Sequence, residues 1–231
     1  MLENVVLLGA DNNRTRAYLS MLHRDGIAPS SLLLLSNNGP SSPQKKISTE
    51  LFDNVTPAVE IALSAGITVI ELKVDTINDD IVKSTLNNLD QEIVIFSGYG
   101  GAIINDSLFS TGKQFLHIHP GKLPEFPGST TIYYSLLAEN KIWASAILMT
   151  KEIDGGPVVG VRCFDPPKDR KQIDMIYDPY IRASLLCDVM ADYAEDGKFE
   201  KEIQSQNIED HYFIIHPVLK HAAILSQGIQ K

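Results

Sequence analysis

Cysteine is scarce in this chain: Cys163 and Cys187 are the two among 231 residues. They form neither a CxxC pair nor a metal-ligand spacing, which sets aside a disulfide framework and leaves two reduced thiols of the cytosolic kind. Long hydrophobic runs are missing too. No stretch approaches the ~20 apolar residues of a membrane helix, and the opening run at 5–8 is strand-sized, without the basic flank of a secretory leader. Positive charge is in deficit, with a formal net charge of −9. The broad basic footprint of a general nucleic-acid binder is therefore absent. No GxGxxG fingerprint marks a dinucleotide site. There is no internal repeat, no low-complexity segment and no clear linker. Together these absences imply a cytoplasmic protein with no nucleic-acid and no membrane partner.

What is present is ordinary for a globular protein: 44% hydrophobic and 21% charged residues. The length suits one domain with a modest C-terminal extension, able to bury roughly 70% of its unfolded surface without staples. The first half alternates apolar runs with amphipathic segments. Strands are predicted at 4–9, 32–35, 68–72, 93–97 and 115–119. Helices are predicted after the polar turn at 10–13, from Pro57 to Gly66 behind a Thr56 cap, and over 79–89. A Ser, Asn and Pro-rich loop is expected at 37–43. Strand–helix alternation with apolar strands predicts an α/β fold, a Rossmann-like, mostly parallel twisted sheet with helices on both faces. In such sheets ligands bind beyond the carboxyl ends of the strands.

The second half changes character. A helix is expected over 129–138, strands over 143–149 and 157–164 joined by a hairpin turn at Asp154-Gly155-Gly156, and a helix over 180–193. A polar, mobile tail is expected over 198–206, then a short strand at 212–215 and a last helix at 217–225. We read 1–165 as the Rossmann-like domain and 166–231 as a C-terminal helical extension packed on it.

The most informative stretch is His117-Ile118-His119-Pro120-Gly121-Lys122-Leu123-Pro124-Glu125-Phe126-Pro127-Gly128. Two histidines at i and i+2 of a strand point to one face, here at its carboxyl end. The prolines that follow stiffen the loop. Asp154, taken alone, reads as a plain hairpin turn.

These features occur in the order seen in the folate-dependent formyltransferases, a family that includes glycinamide ribonucleotide, methionyl-tRNA and amino-sugar enzymes. The loop at 117–124 resembles that family's Asn-x-His-Pro-Ser-x-Leu-Pro signature, and Asp154-Gly155-Gly156-Pro157 resembles its Asp-x-Gly turn. Ile95-Phe96-Ser97-Gly98-Tyr99-Gly100 is similar to its apolar strand ending in a Tyr-Gly turn. The likeness is clear over 93–160, generic over 1–92, and lapses after about 165. His117 stands where the family has its catalytic asparagine, and Gly121 where it has serine.

The resemblance implies transfer of a formyl group from 10-formyltetrahydrofolate to a primary amine, with no metal. The catalytic residues would be His119, Asp154 and His117: His119 as oxyanion donor, Asp154 raising its pKa and helping to deprotonate the amine, and His117 as a second donor. Tyr99, Gly100, Gly101, Ile153 and Gly155 would line the pterin pocket. Asn13, Arg14, Lys122 and Tyr133 are the candidate substrate contacts. Tyr134, Tyr177 and Tyr180 are further rings that could stack on a base or sugar. The turn at 9–15 lacks the Gly-Ser-Asn phosphate turn of glycinamide ribonucleotide enzymes, and the extra C-terminal domain of methionyl-tRNA formyltransferases is expected to be missing. By elimination the small-molecule amine is read as an activated amino sugar, of surface-glycan or nonulosonic-acid type, and a homodimer as the candidate assembly. The alternatives are glycinamide ribonucleotide as acceptor, a formyltetrahydrofolate hydrolase, a non-catalytic folate binder, and a metal-dependent hydrolase. The last would ligate through His117 and His119, with Asp154 or His216 as third ligand.

Overall fold

A computed structural model describes residues 1–36, 47–204 and 211–226. The loop expected at 37–43 lies outside the described residues. Seven strands form one sheet in the order β3-β2-β1-β4-β5-β6-β7. They are β1 (Leu2–Ala10), β2 (Pro29–Ser36), β3 (Thr68–Lys73), β4 (Ile93–Ser97), β5 (Gln114–His119), β6 (Ile142–Leu148) and β7 (Val158–Phe164). The first five are mutually parallel; β6 runs antiparallel to β5, and β7 antiparallel to β6. The α/β, mostly parallel sheet inferred from the strand pattern is the one formed.

The continuous Val5-Val6-Leu7-Leu8 run follows from this placement. Val5 and Leu7 enter one apolar layer, Val6 and Leu8 the other, and all four are fully buried. Each such side chain contributes roughly 1.5–3 kcal/mol of transfer free energy. The first layer holds α1 (Asn13–Arg24), α5 (Thr131–Glu139) and α6 (Asp178–Asp196). The second holds α3 (Asp80–Asn88) and the one-turn α4 (Asp106–Phe109). Helices α2 (Ala58–Ser64) and α7 (Pro217–Leu225) complete the set. Asn12 starts α1 by accepting from Thr15 N at 3.0 Å, and Gly26 leaves it at φ +75°.

Residues beyond 165 are not an appendage. A short 3-10 turn (Arg170–Gln172) and a π turn (Ile173–Tyr177) lead into α6. Ile181, Leu185, Leu186 and Met190 of α6 share the first layer with Leu116, Ile118, Ala144 and Ala146 of the sheet.

Two expectations are corrected here. The segment at 212–215 is not a strand. Tyr212 makes a single bridge to Gly128, while Phe213 and Ile214 are exposed and Ile215 is buried, so no period-2 face exists to pair. What holds it is ring packing: Tyr212 lies 5.6 Å from Phe126 and 4.5 Å from Tyr134. Nor is the described part of the polar tail loose. Glu202 exchanges two 2.8 Å hydrogen bonds with Val158, Phe199 is buried, and Gln204 donates to Asp154 O and Gly156 O at 2.7 Å. Residues 205 and 206 lie outside the described residues.

The β6–β7 hairpin has no slack at Gly156, where an added Cβ would stand 1.9 Å from the Leu148 carbonyl oxygen. Gly156→Ala is expected to destabilise the protein by about 2–3 kcal/mol, read as a lower urea midpoint. Gly112→Ala tests the contrast: at a φ of +75° with open space around it, it adds only the smaller cost of backbone strain.

Candidate active site

His117 and His119 leave β5 on the face that also carries Phe115. His119 is 2% exposed and clasped from both ends. Its Nε2 lies 2.7 Å from the Phe126 carbonyl and 3.2 Å from Thr131 Oγ1. A carbonyl can only accept, and the Thr131 hydroxyl already donates to Pro120 O at 2.9 Å. The proton therefore belongs on Nε2 in the neutral ring. Nδ1 then offers its lone pair toward Asp154 Oδ1, 3.5 Å away, and a proton taken up at Nδ1 completes an ion pair there.

Asp154 is fixed in turn. Its Oδ2 accepts from Gly128 N at 2.7 Å, and its backbone adopts φ +55°, a left-handed value that Asp tolerates better than bulkier residues do. The 120–128 loop thus turns back on the strand it leaves: Phe126 holds one nitrogen of His119, and Gly128 holds the carboxylate facing the other. Gly121 is required by the same closeness. A Cβ there would sit 2.7 Å from Phe126 O and Thr131 Oγ1, and 2.8 Å from His119 Nε2. The serine of the related signature would not fit this arrangement.

His117 lines a cavity of about 150 Å³. Its walls are mostly apolar, among them Phe96, Ile104, Phe109, Ile147 and Met149, and they close with Ile153 and Asp154. His119 stands behind Asp154 and does not reach the cavity. The Nδ1 of His117 is itself buried and has no hydrogen-bond partner, a cost to the folded state.

Burial pushes the His117 imidazole well below its usual pKa, and the Arg182 and Arg14 guanidiniums and His119 press the same way, against the Phe96 carbonyl. For His119 burial also wins. Its pKa is lowered even though Asp154 and the Phe126 carbonyl favour the charged ring. The expected rise driven by Asp154 is therefore outweighed by desolvation, and both rings are neutral at pH 7.

The other candidates fall elsewhere. Ile153 lines the cavity, which continues through Ala102 and Ile103 rather than through the three residues before them. Tyr99 turns its hydroxyl to Leu35 O at 3.0 Å. Gly101 makes a turn at φ +77°, beside Gly100, and Gly155 packs against Glu152. Asn13 donates to Met175 O at 3.0 Å. Arg14 donates to Gly98 O at 2.6 Å and Ser97 Oγ at 3.1 Å, with its pKa lowered by burial and then by Arg182. Lys122 pairs with Glu125 and lies 5.4 Å from the Trp143 ring. Tyr133 donates to Asp174 at 2.6 Å under the Lys220 amine. Tyr134 bonds Phe213 O, and Tyr177 lies 5.8 Å from Tyr180. His216 caps α7, its Nδ1 accepting from Val218 N at 3.2 Å. Among the described residues no group of three His, Cys, Asp or Glu side chains is placed to hold a metal ion, and no helix is long and apolar enough to cross a membrane.

Sequence reasoning missed the apolar cavity wall and the groups that clasp His119. Apolar residues after a strand look like core, and a main-chain carbonyl such as that of Phe126 has no sequence signal at all.

A sheet with this strand order, carrying a histidine–aspartate pair beside a cavity at the end of β5, defines a class. Residues 5–165 match the formyl transferase family, and the chain belongs to it. It is 28% identical over 153 residues to the methionyl-tRNA formyltransferase of Chloroflexus aurantiacus, covering 65% of this chain and 49% of that one. The chain thus spans about half the length of the curated relatives it matches. Among solved structures, glycinamide ribonucleotide transformylase 1 from Symbiobacterium toebii superposes with a TM-score of 0.62 at 14% identity, over 87% of this chain and 91% of that one. WlaRD, a sugar 3N-formyl transferase determined in the presence of dTDP and 5-N-formyl-THF, superposes with a TM-score of 0.56 at 14% identity, over 92% and 70%. Such identities speak for the fold alone.

The neutral histidines have a consequence for stability. Each has a folded pKa below its unfolded value of about 6.5, so below pH 6.5 the unfolded chain binds protons that the folded one refuses. Stability therefore falls as pH drops from 6.5, by up to about 1.4 kcal/mol per pH unit per histidine. His117→Asn is expected to make the loss between pH 6.5 and 5 shallower than in wild type, measured by urea midpoints across that range.

Proposed function

We propose that the protein transfers a formyl group from 10-formyltetrahydrofolate to the primary amine of an activated amino sugar. One observation carries the reading: His117 and Asp154 line the same largely apolar cavity, and His119 is hydrogen-bonded in place beside the Asp154 carboxylate.

Each residue has a role that its geometry supports. The folate would supply the formyl carbon when bound, and the cavity suits its flat ring: walls mostly apolar, with His117 and Asp154 among the residues that line it. Asp154 takes the proton released by the attacking amine and shares it with Nδ1 of His119, 3.5 Å behind. The resulting imidazolium is stabilised by the same carboxylate, and its proton would return through Asp154 to the folate nitrogen as the bond from that nitrogen to the formyl carbon breaks. His117, which lines the cavity, is the candidate donor to the formyl oxygen as charge develops there. A preorganised donor of this kind is worth roughly 3–4 kcal/mol.

The acceptor is inferred more indirectly. The net charge of −9 disfavours a tRNA. The Asn12-Asn13-Arg14 turn is occupied by protein contacts, Asn13 with Met175 and Arg14 with Gly98, which leaves the phosphate turn of a glycinamide ribonucleotide enzyme unmatched. A sugar 3N-formyl transferase is among the proteins that share this fold, so the fold is compatible with a sugar amine.

The test is transfer from 10-formyltetrahydrofolate to a panel of nucleotide-linked amino sugars, free amino sugars and glycinamide ribonucleotide, following folate absorbance and formate. Amine-dependent turnover is expected with a nucleotide-linked amino sugar, falling about 10²–10⁴-fold in His119→Ala and in Asp154→Ala. Its kcat/KM should hold as pH drops to 6.5 and fall only below it, because burial lowers the pKa of both histidines. Formate release without amine would replace transfer by hydrolysis. Near-normal transfer in His119→Ala would overturn the mechanism.

A further inference from the structure

Main-chain hydrogen bonding leaves one group unmatched in the middle of the His-x-His segment. In an antiparallel pair, alternate residues exchange both hydrogen bonds with the facing strand. Met149 N donates to Phe115 O at 2.8 Å, and His117 faces Ile147 while His119 faces Ser145. Residues 115, 117 and 119 therefore bond β6, and Ile118 turns its N–H and C=O toward β4. The β4–β5 ladder, however, ends at Ile95 opposite Leu116. Ile118 is fully buried, so water is a poor substitute partner.

Arg182 meets this carbonyl. Its Nη1 donates to Ile118 O at 2.6 Å, while its Nε donates to the Asp178 carboxylate at 3.0 and 3.1 Å. The two side chains are 11% and 21% exposed. They are spaced i, i+4 on the first turns of α6, right after the π turn that sets where this helix begins. Arg14 treats the other lip of the gap similarly, donating to Ser97 Oγ and Gly98 O at the end of β4.

We propose that Arg182, oriented by Asp178, is a positioning residue for the His117–Ile118–His119 segment: it replaces β4 as the hydrogen-bond partner of Ile118 and so fixes the pose of the two imidazoles. The formyl-transfer reading decides what the imidazoles do once held; the clamp itself does not depend on it.

The charges around the rings separate this role from plain packing. His119 is faced by Asp154 from the hairpin turn, by Phe126 O and the Thr131 hydroxyl, and by Arg182 and Asp178 from α6. His117 is faced by Arg182, by Arg14 from α1, by His119 and by the Phe96 carbonyl. Arg182 disfavours the protonated form of His119 and Asp178 favours it. Loss of either partner breaks the same ion pair, yet the two losses should move His119 in opposite directions.

The experiment is NMR titration of the histidine side chains in labelled full-length protein, with His119 assigned through a His119→Asn variant. Arg182→Gln is expected to raise the His119 midpoint and Asp178→Asn to lower it. Arg182→Lys, which keeps the charge, should titrate near wild type. Shifts of the same sign in Arg182→Gln and Asp178→Asn, or no shift in either, would overturn the proposal. If Arg182→Gln does not fold, Arg182→Lys and Asp178→Asn still decide it, since an unmoved or raised midpoint in Asp178→Asn is the adverse result. Given measurable transfer, Arg182→Gln should lower kcat about 10–100-fold with KM changed less than about threefold, and Arg182→Lys should recover part of it. Without transfer the titration still reads, so failure of the clamp and failure of the formyl-transfer reading are told apart.

Discussion

The structure turns on the parting of two strands. β4 and β5 pair only as far as Leu116, and past that point β5 continues alone beside β6. A parallel sheet buried on both faces has no water to satisfy backbone groups that lose a partner. Opening it creates room for a ligand and, by the same step, a set of buried polar groups that must be met. The cavity under His117, the guanidiniums of Arg14 and Arg182, and the loop that doubles back from Pro120 to Gly128 all answer that requirement. So does the clasp on His119, whose two nitrogens both face protein groups.

That dependence explains which parts were legible in the sequence. The strands could be read because each is an apolar run of the right length between turn residues, and placement in a doubly covered sheet makes such runs continuous. The pair His117 and His119 could be read because period 2 puts them on one face. Asp154 could not be singled out from its own surroundings: an Asp-Gly turn between apolar strands has the same local pattern whether or not its carboxylate meets a histidine 35 residues earlier. Only its order and spacing relative to the His-Pro loop raised it. Phe126 and Gly128 act through main-chain atoms, which leave no side-chain signature. The segment at 212–215 misled for the converse reason: an aromatic and β-branched run has strand propensity, but its partners here are rings, Phe126 and Tyr134, and pairing stops after one bridge.

The two departures from the related signature have different physical standing. Gly121 is forced by space, because the clasp on His119 leaves no volume for a Cβ beside Phe126 O and Thr131. His117 is not forced in this way, since its Nδ1 has nothing to bind within the protein. A buried polar atom left without a partner costs stability, and burial first, then Arg182 and Arg14, disfavour protonation of the ring. An amide in that place offers a donor at one end and an acceptor at the other, both fixed in position. A neutral imidazole has a single proton that can sit on either nitrogen, so Nδ1 can present a donor or an acceptor. The same position can therefore donate to a developing oxyanion or receive from an incoming N–H group. Burial, reinforced by Arg182 and Arg14, holds the ring neutral, and through Ile118 O, Gly98 O and Ser97 Oγ the same two guanidiniums satisfy the two strand ends beside it.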